Sequence, residues 1–316
     1  MKLGKNKLGD YGLLLTFIVI CIFVSIMTPK FLLPQNIRNI MTQISINALL
    51  ATGMSFVILT GGIDIGVGSV AALAGVLIPG FCKYFSELSP LSYVLIGLLG
   101  SIIIGVICGG FNAIAITKFN VHPFIATLGM LSIARGLAYV YTGGKPVFGL
   151  PDSFGWLGQG YIGPIPVLVI VMILILAIAH VILDKTVPGR YIYAVGSNEE
   201  VAKLNGIKVH RIKFMVYIIS GILSALAGVC LSSKLVSGQP MIGSGYELNA
   251  IAAAVMGGIS MSGGKGKIIN TIMGLLTIGV INNGMSLIGV SSYWQTVVMG
   301  FIIVGAVSID QYKKAQ

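Results

Sequence analysis

The chain has 316 residues, of which 56% are hydrophobic and only 9% charged, with a mean hydropathy of +0.97. That balance excludes a soluble globular domain. The formal net charge of +11 needs no nucleic acid to explain it, because it gathers on one side of a bilayer, as shown below.

Apolar runs long enough to cross ~30 Å of hydrocarbon recur throughout. Backbone amides cannot stay unpaired in lipid, so these runs are helices and the fold class is all-α. In chain order the expected crossings are 11–28, 36–60, 66–85, 91–117, 122–142, 164–184, 213–236, 246–260, 268–288 and 293–310. The basic segment Met1 to Asp10 precedes the first. No small-residue cleavage site follows at Met27-Thr28-Pro29-Lys30, so the run reads as a retained helix. The second begins amphipathically (Asn36, Arg38, Asn39, Gln43, Asn47), and the eighth is short and alanine-rich. No linker-like stretch divides residues 1–316, which form a single transmembrane domain.

Ten crossings place both termini on one side. With the N-terminus inside, 14 of the 20 Lys and Arg residues fall on the inner side. The outer side keeps Lys30, Arg38, Lys83, Lys145 and Lys234, while Arg135 lies within the fifth span. The positive-inside bias makes both termini cytoplasmic. The excess charge then faces an anionic lipid leaflet and any cytoplasmic partner.

Cys21, Cys82, Cys108 and Cys230 all lie in apolar segments without CxxC spacing and read as small core hydrophobes. His122, His180 and His210 belong to no ligand pattern, so no metal or other cofactor is expected. Two apolar segments are interrupted by glycine, at Gly61 to Ser69 and at Gly257 to Gly266. They read either as unwound backbone lining a cavity or as tight cytoplasmic turns. Their shared Gly-Gly-Ile hints at duplication. An inverted repeat of five plus five helices, however, puts matching segments on opposite faces. The second segment is not a phosphate loop. Ile259 stands where the first glycine of a Walker A motif belongs, and Gly266 follows Lys265 in place of a hydroxyl residue. GxSxG and HExxH are also absent, so no catalytic residue is assigned.

Ionisable groups at membrane depth are functional candidates. Arg135 is either a functional charge or a snorkelling one. Glu247 opens the eighth span from the same outer side, and the two are expected to pair or share a network at an outer gate. Asp64 suits a helix cap as well as a transport role. Gln43, Asn47, Asp64, Asn112, Thr127, Glu247, Asn249 and Asn282 form the candidate path for a neutral, hydroxyl-rich solute, although each uncharged group alone equally suits an interhelical hydrogen bond. Asn283 shares that polar character.

The longest inner connection, about 185–213, is the most structured. Ser197-Asn198-Glu199-Glu200 offers a capping box from Ser197 to Glu200. Gly206 is placed to end the helix in a left-handed conformation. Between them lie about two turns carrying Val201, Ala202 and Leu204, too short to be stable alone. This segment reads as a plug for a groove on another protein, or else as a helix resting on lipid.

Gly189-Arg190-Tyr191-Ile192-Tyr193-Ala194-Val195-Gly196-Ser197-Asn198-Glu199, with Ala202 and Gly206-Ile207, resembles the coupling loop of ribose/xylose-type permeases of ABC monosaccharide importers, in the branched-chain amino acid/ribose permease family. Further stretches match in the family's order: Asn47-Ala48, Gly53-Met54, Gly62-Ile63-Asp64, Val67-Gly68-Ser69, Pro123 to Gly129, Arg135-Gly136, Tyr246-Glu247-Leu248, Ala250 to Ala253, Gly263 to Gly266 and Asn282 to Gly284. The resemblance implies a multi-pass inner-membrane permease that forms a homodimer. It implies a separate cytoplasmic ATP-binding subunit, and an external or periplasmic binding protein delivering a ribose-like sugar. Arg190, Asn198, Glu199, Glu200, Ala202, Leu204 and Gly206 would then contact the ATPase. The outer loop from Gly143 to Gly163 is where members are expected to differ. The rival class is an ion-coupled secondary transporter of a small neutral solute, which needs membrane-depth carboxylates that this chain largely lacks. An intramembrane enzyme would need clustered His, Asp, Cys or Ser partners.

Overall fold

A computed structural model describes residues 5–85 and 88–315. Thirteen α-helices account for nearly all the regular structure among them. Ten coincide with the expected crossings: α1 (Lys5–Met27), α2 (Pro34–Leu59), α3 (Val67–Cys82), α4 (Pro90–Thr117), α5 (Pro123–Thr142), α7 (Val167–Lys185), α10 (Val209–Leu235), α11 (Tyr246–Met256), α12 (Ile268–Leu287) and α13 (Ser292–Ala315). Of these, α2, α4, α5, α7, α10 and α12 are long and apolar enough to cross a membrane, and four shorter apolar helices accompany them. The protein is an all-α polytopic membrane protein. The short α6 (Trp156–Gln159) lies in the outer loop, and α8 (Val187–Ser197) and α9 (Glu199–Leu204) form the inner connection.

Local sequence explains where the helices begin. Proline occupies the first turn of α2, α4, α5 and α8, where its missing N–H costs nothing and its fixed φ favours the helix. Ser89, His122 and Thr186 cap α4, α5 and α8 with side-chain acceptors.

The expected weak spans differ from each other in outcome. Despite its amphipathic start, α2 is one unbroken helix at the centre of the bundle, with 89% of its most apolar window buried. Its polar first turns sit at the outer end, where Asn36 and Asn283 clasp each other through reciprocal amide bonds of 2.9 and 2.8 Å. The eighth span, by contrast, is only the 11-residue α11, about 16 Å at 1.5 Å per residue. The rest of its expected length, to Ser260, is loop.

The core is organised around α10, which packs against α2, α3 and α4. The crossing of α4 and α10 is close because glycines meet there. A Cβ on Gly105 would collide with Ile222, and one on Gly221 would collide with the Gly105 carbonyl. On the periphery, Leu99, Ile103 and Ile107 of α4 and Ile173 and Leu174 of α7 turn outward as a lipid-facing surface.

The outer loop after α5 is built rather than loose. A 3₁₀ turn (Asp152–Gly155) and α6 cover the outer end of α10, and a short hairpin (Tyr161–Ile162 with Ile165–Pro166) leads into α7. Ser233 donates to the Phe154 carbonyl at 2.7 Å and accepts from the Gly158 amide at 2.8 Å.

Candidate functional site

The outer end of the bundle holds an open cleft of about 400 Å³, lined by Gln43, Ile46, Lys234, Met241, Ser244 and Tyr246. One wall is the segment between α10 and α11, and neighbouring helices hold it in place. From α5, the Arg135 guanidinium donates to the carbonyls of Pro240 at 2.6 Å and Ile242 at 2.9 Å. From α3, Gly68 lies so close that a Cβ would strike the Gly243 carbonyl. Glu247, in the first turn of α11, accepts from the Gly245 amide at 3.2 Å, where a negative charge also complements the helix dipole.

A direct ion pair between Arg135 and Glu247 does not form: no guanidinium nitrogen lies within 4 Å of a carboxylate oxygen of Glu247. The reason is reach. The guanidinium finds two backbone carbonyls of the wall, while the carboxylate turns back onto its own helix start. Both side chains nevertheless brace one segment.

The inner end is a second junction, where the two glycine-rich interruptions meet. Both are turns between helices, packed against protein. The Gly264 amide donates to the Leu59 carbonyl at the end of α2, at 2.9 Å. Helix α8 is pressed onto this contact, since a Cβ on Gly196 would overlap the Leu59 carbonyl oxygen. Tyr193 adds a bond from its hydroxyl to the Gly266 carbonyl at 3.0 Å.

Asp64 lies between this junction and the cleft, four residues before Gly68, whose backbone abuts the cleft wall at Gly243. It is buried, accepts from the Gly66 amide at 3.1 Å as the chain enters α3, and accepts from the Ser220 hydroxyl of α10 at 2.7 Å. Ser220 in turn packs on Gly53 of α2. Thr127 of α5 is fully buried beside Gly66 and donates to the Pro123 carbonyl at 3.0 Å.

The inner connection forms two helices where one was expected. Ser197 is the last residue of α8 and not a cap, so the expected capping box is absent. Asn198 caps α9, its side chain accepting from the Val201 amide at 3.0 Å. Gly206 does end the helix with φ of 80°. Ala202 is buried toward the bundle, whereas Val201 and Leu204 are 51% and 87% exposed. Arg190 and Glu200 are also exposed. Glu199 pins α9 to its surroundings through Lys203 at 2.9 Å and Lys213 of α10 at 2.6 Å. The Lys213 ammonium, with Lys203 adding to it, holds the Glu199 carboxyl below its ordinary pKa.

The eight path candidates therefore do not share one lining. Gln43 is in the cleft, and Asn47 lies one helical turn deeper on the same helix, buried, with no hydrogen-bond partner for its amide oxygen. Glu247 and the half-buried Asn249 lie on α11, whose first residue, Tyr246, also lines the cleft. Asp64 and Thr127 lie together beside Gly66 at the start of α3, below the cleft wall. Asn112 is buried on α4 with its amide oxygen unpartnered, and Asn282 is half-buried near the outer end of α12. Sequence reasoning counted Lys234 only as an outer charge, although its position at the end of an apolar helix marked it for the same scrutiny as Arg135. It also passed over the Asn36 and Asn283 clasp, whose partners stand 247 positions apart.

Residues 36–307 match the family described as the branched-chain amino acid transport system / permease component. The chain is 48% identical to the ribose import permease protein RbsC of Bacillus subtilis (strain 168) over 312 residues, 98% of this chain and 94% of that one. Against the Haemophilus influenzae ribose import permease protein the identity is 43%, covering 98% and 95%. Against the L-arabinose transport system permease protein of Escherichia coli (strain K12) it is 38%, covering 96% and 91%. With a family match over most of its length and full-length relatives of such similarity, this chain belongs to the branched-chain amino acid transport system / permease component family.

Proposed function

We propose that the chain is the membrane-spanning subunit of an ABC importer in the cell (inner) membrane. It carries a monosaccharide of the ribose type from an external binding protein, driven by a separate cytoplasmic ATPase and working as a homodimer. The observation that carries this reading is α9, a short helix capped at both ends that presents Val201 and Leu204 outward at the end of the bundle rich in Lys and Arg. An exposed leucine on a pinned helix suits a groove on a partner protein. A secondary transporter has no use for such a device. The kinship with ribose and arabinose permeases supports the substrate class.

Reconstituted alone, the chain is expected neither to hydrolyse ATP nor to accumulate ribose. With the ATPase and a loaded binding protein, uptake should follow ATP hydrolysis. Leu204→Asp puts a charge in the docking seam without altering the Gly206 turn, and should abolish both ATPase co-purification and uptake while the chain still inserts. Accumulation by the lone chain, or full co-purification with Leu204→Asp, would overturn the reading.

A further inference from the structure

Backbone strain is concentrated at one residue, on the edge of the outer cleft. Among the described residues, positive φ falls on glycine except at Asn120 and Val236. Asparagine tolerates the left-handed region, but a β-branched valine does not, because its Cβ and methyls crowd the backbone carbonyls. Val236 nevertheless holds φ 47° and ψ 37° at the end of α10. The turn is a helix stop of the kind glycine usually makes, with the Ser237 amide reaching back to the Ser232 carbonyl at 3.1 Å. Helices α5 and α9 do stop on glycines in this conformation, Gly143 and Gly206.

Such a conformation persists only where its surroundings impose it. Here the outer loop does so from both sides of the residue. Before Val236, Ser233 bonds to the Phe154 carbonyl and the Gly158 amide, and the Gln159 side-chain amide donates to the Lys234 carbonyl at 2.8 Å. After it, Val147 and Gly238 exchange two backbone bonds of 2.6 and 2.9 Å. Val236 itself packs on Gly155, where an added Cβ would sit 3.2 Å from a valine methyl. Beyond Gly238 the chain walls the cleft from Met241 to Ser244, turning at Gly243 and Gly245, both at positive φ. The wall is therefore strung between a strained valine and two glycines that rotate at little cost.

We propose that Val236 is a loaded hinge of the outer cleft, and that the outer loop is the catch that keeps it loaded. Displacing the loop frees both sides of the hinge at once. Val236 then relaxes toward an extended conformation, which re-aims the chain leaving α10 and swings the wall about Gly243 and Gly245. Relief of strain offsets part of the cost of breaking the loop's bonds, so the wall moves more readily than one hung on an unstrained turn. A molecule docking on the loop from outside thus changes the shape of the cleft without entering it. The device goes beyond the importer reading and needs neither ATP nor solute, so its failure leaves that reading standing.

Residue-resolved hydrogen exchange on the full chain in lipid nanodiscs tests this at the amides of Ser237 in the turn, Gly238 and Val147 in the bridge, and Gly158 in the loop. Val236→Gly removes the strain and should slow all of them together by about tenfold, or ~1.4 kcal/mol. Val236→Asn tolerates the conformation while keeping a side chain, and should slow them by less. Val236→Ile keeps both the strain and the apolar packing, and should change nothing. Ser233→Ala loosens the loop and should accelerate Ser237 and Gly238 several-fold, although its hydroxyl bonds to neither, with α2 unaffected. Slowing confined to Ser237 in Val236→Gly would mean strain without a lever, and would overturn the hinge. Faster exchange in Val236→Gly would mean that the valine's packing outweighs its strain, and would overturn it equally. Unchanged exchange at Ser237 and Gly238 in Ser233→Ala would overturn the catch.

Discussion

Replacing Arg135 with methionine keeps most of the side chain's bulk and removes its two bonds to the cleft wall. A hydrogen bond from a charged donor nets about 1.5–3 kcal/mol, and for a half-buried guanidinium the lower figure applies, so the pair is worth about 3 kcal/mol. That energy holds the backbone from Pro240 to Ile242, and its loss should appear as local opening of this segment while the bundle stays folded. At about 1.4 kcal/mol per tenfold, amide exchange at Ile242 and Tyr246 should accelerate roughly a hundredfold, with exchange in α2 and α10 unchanged. Arg135→Lys can reach one carbonyl and should fall between. Glu247→Gln keeps an acceptor for the Gly245 amide and should be mild. Exchange unchanged in Arg135→Met would refute the bracing role. A Glu247→Gln defect equal to that of Arg135→Met would restore the direct pair that the geometry denies.

Gly196→Val must push α8 off the end of α2 and should cost at least the ~1–3 kcal/mol of overpacking, read as ATP hydrolysis no longer matched by uptake. Normal coupling would refute the seat. Asp64→Leu leaves both Ser220 and the Gly66 amide without an acceptor, a penalty of about 1–3 kcal/mol each, while Asp64→Asn retains the geometry; thermal unfolding in detergent should rank them wild type, Asn, then Leu, and equal loss in both would mean that the charge itself matters. The Glu199 carboxyl has its folded pKa depressed, so its ion pairs contribute fully above the ordinary carboxylate pKa and are lost only as pH falls through the lower folded value. ATPase co-purification should therefore be flat from neutral pH down to about 5, whereas Glu199→Gln should weaken it throughout.

Every apolar run long enough to cross the bilayer became a helix, because hydrophobic length alone decides that question. Helix α8 escaped notice because Gly189, Gly196 and two tyrosines blur its pattern, although Thr186 followed by Val187-Pro188 was a readable start. Ser197 and Asn198 are equally good caps by residue type, and packing of Gly264 against Ser197 belongs to no local pattern. Arg135 and Glu247 share a depth that a sequence reveals, but the lateral direction in which each side chain points is set by tertiary contacts. The same limit hid Asp64's true neighbour, Ser220, which lies 156 positions away.

The brevity of α11 bears on how the protein is made. Eleven residues offer too little apolar length to be stopped in a bilayer alone. During synthesis the segment must wait for α12 to emerge, and the two then enter as a hairpin, with the loop from Gly257 to Lys267 drawn in behind α11. A chain ending at Met256 should leave its last segment accessible from outside the lipid, and extension to Leu287 should bury it. The stretch that walls the cleft is thus among the last parts of the molecule to reach its place.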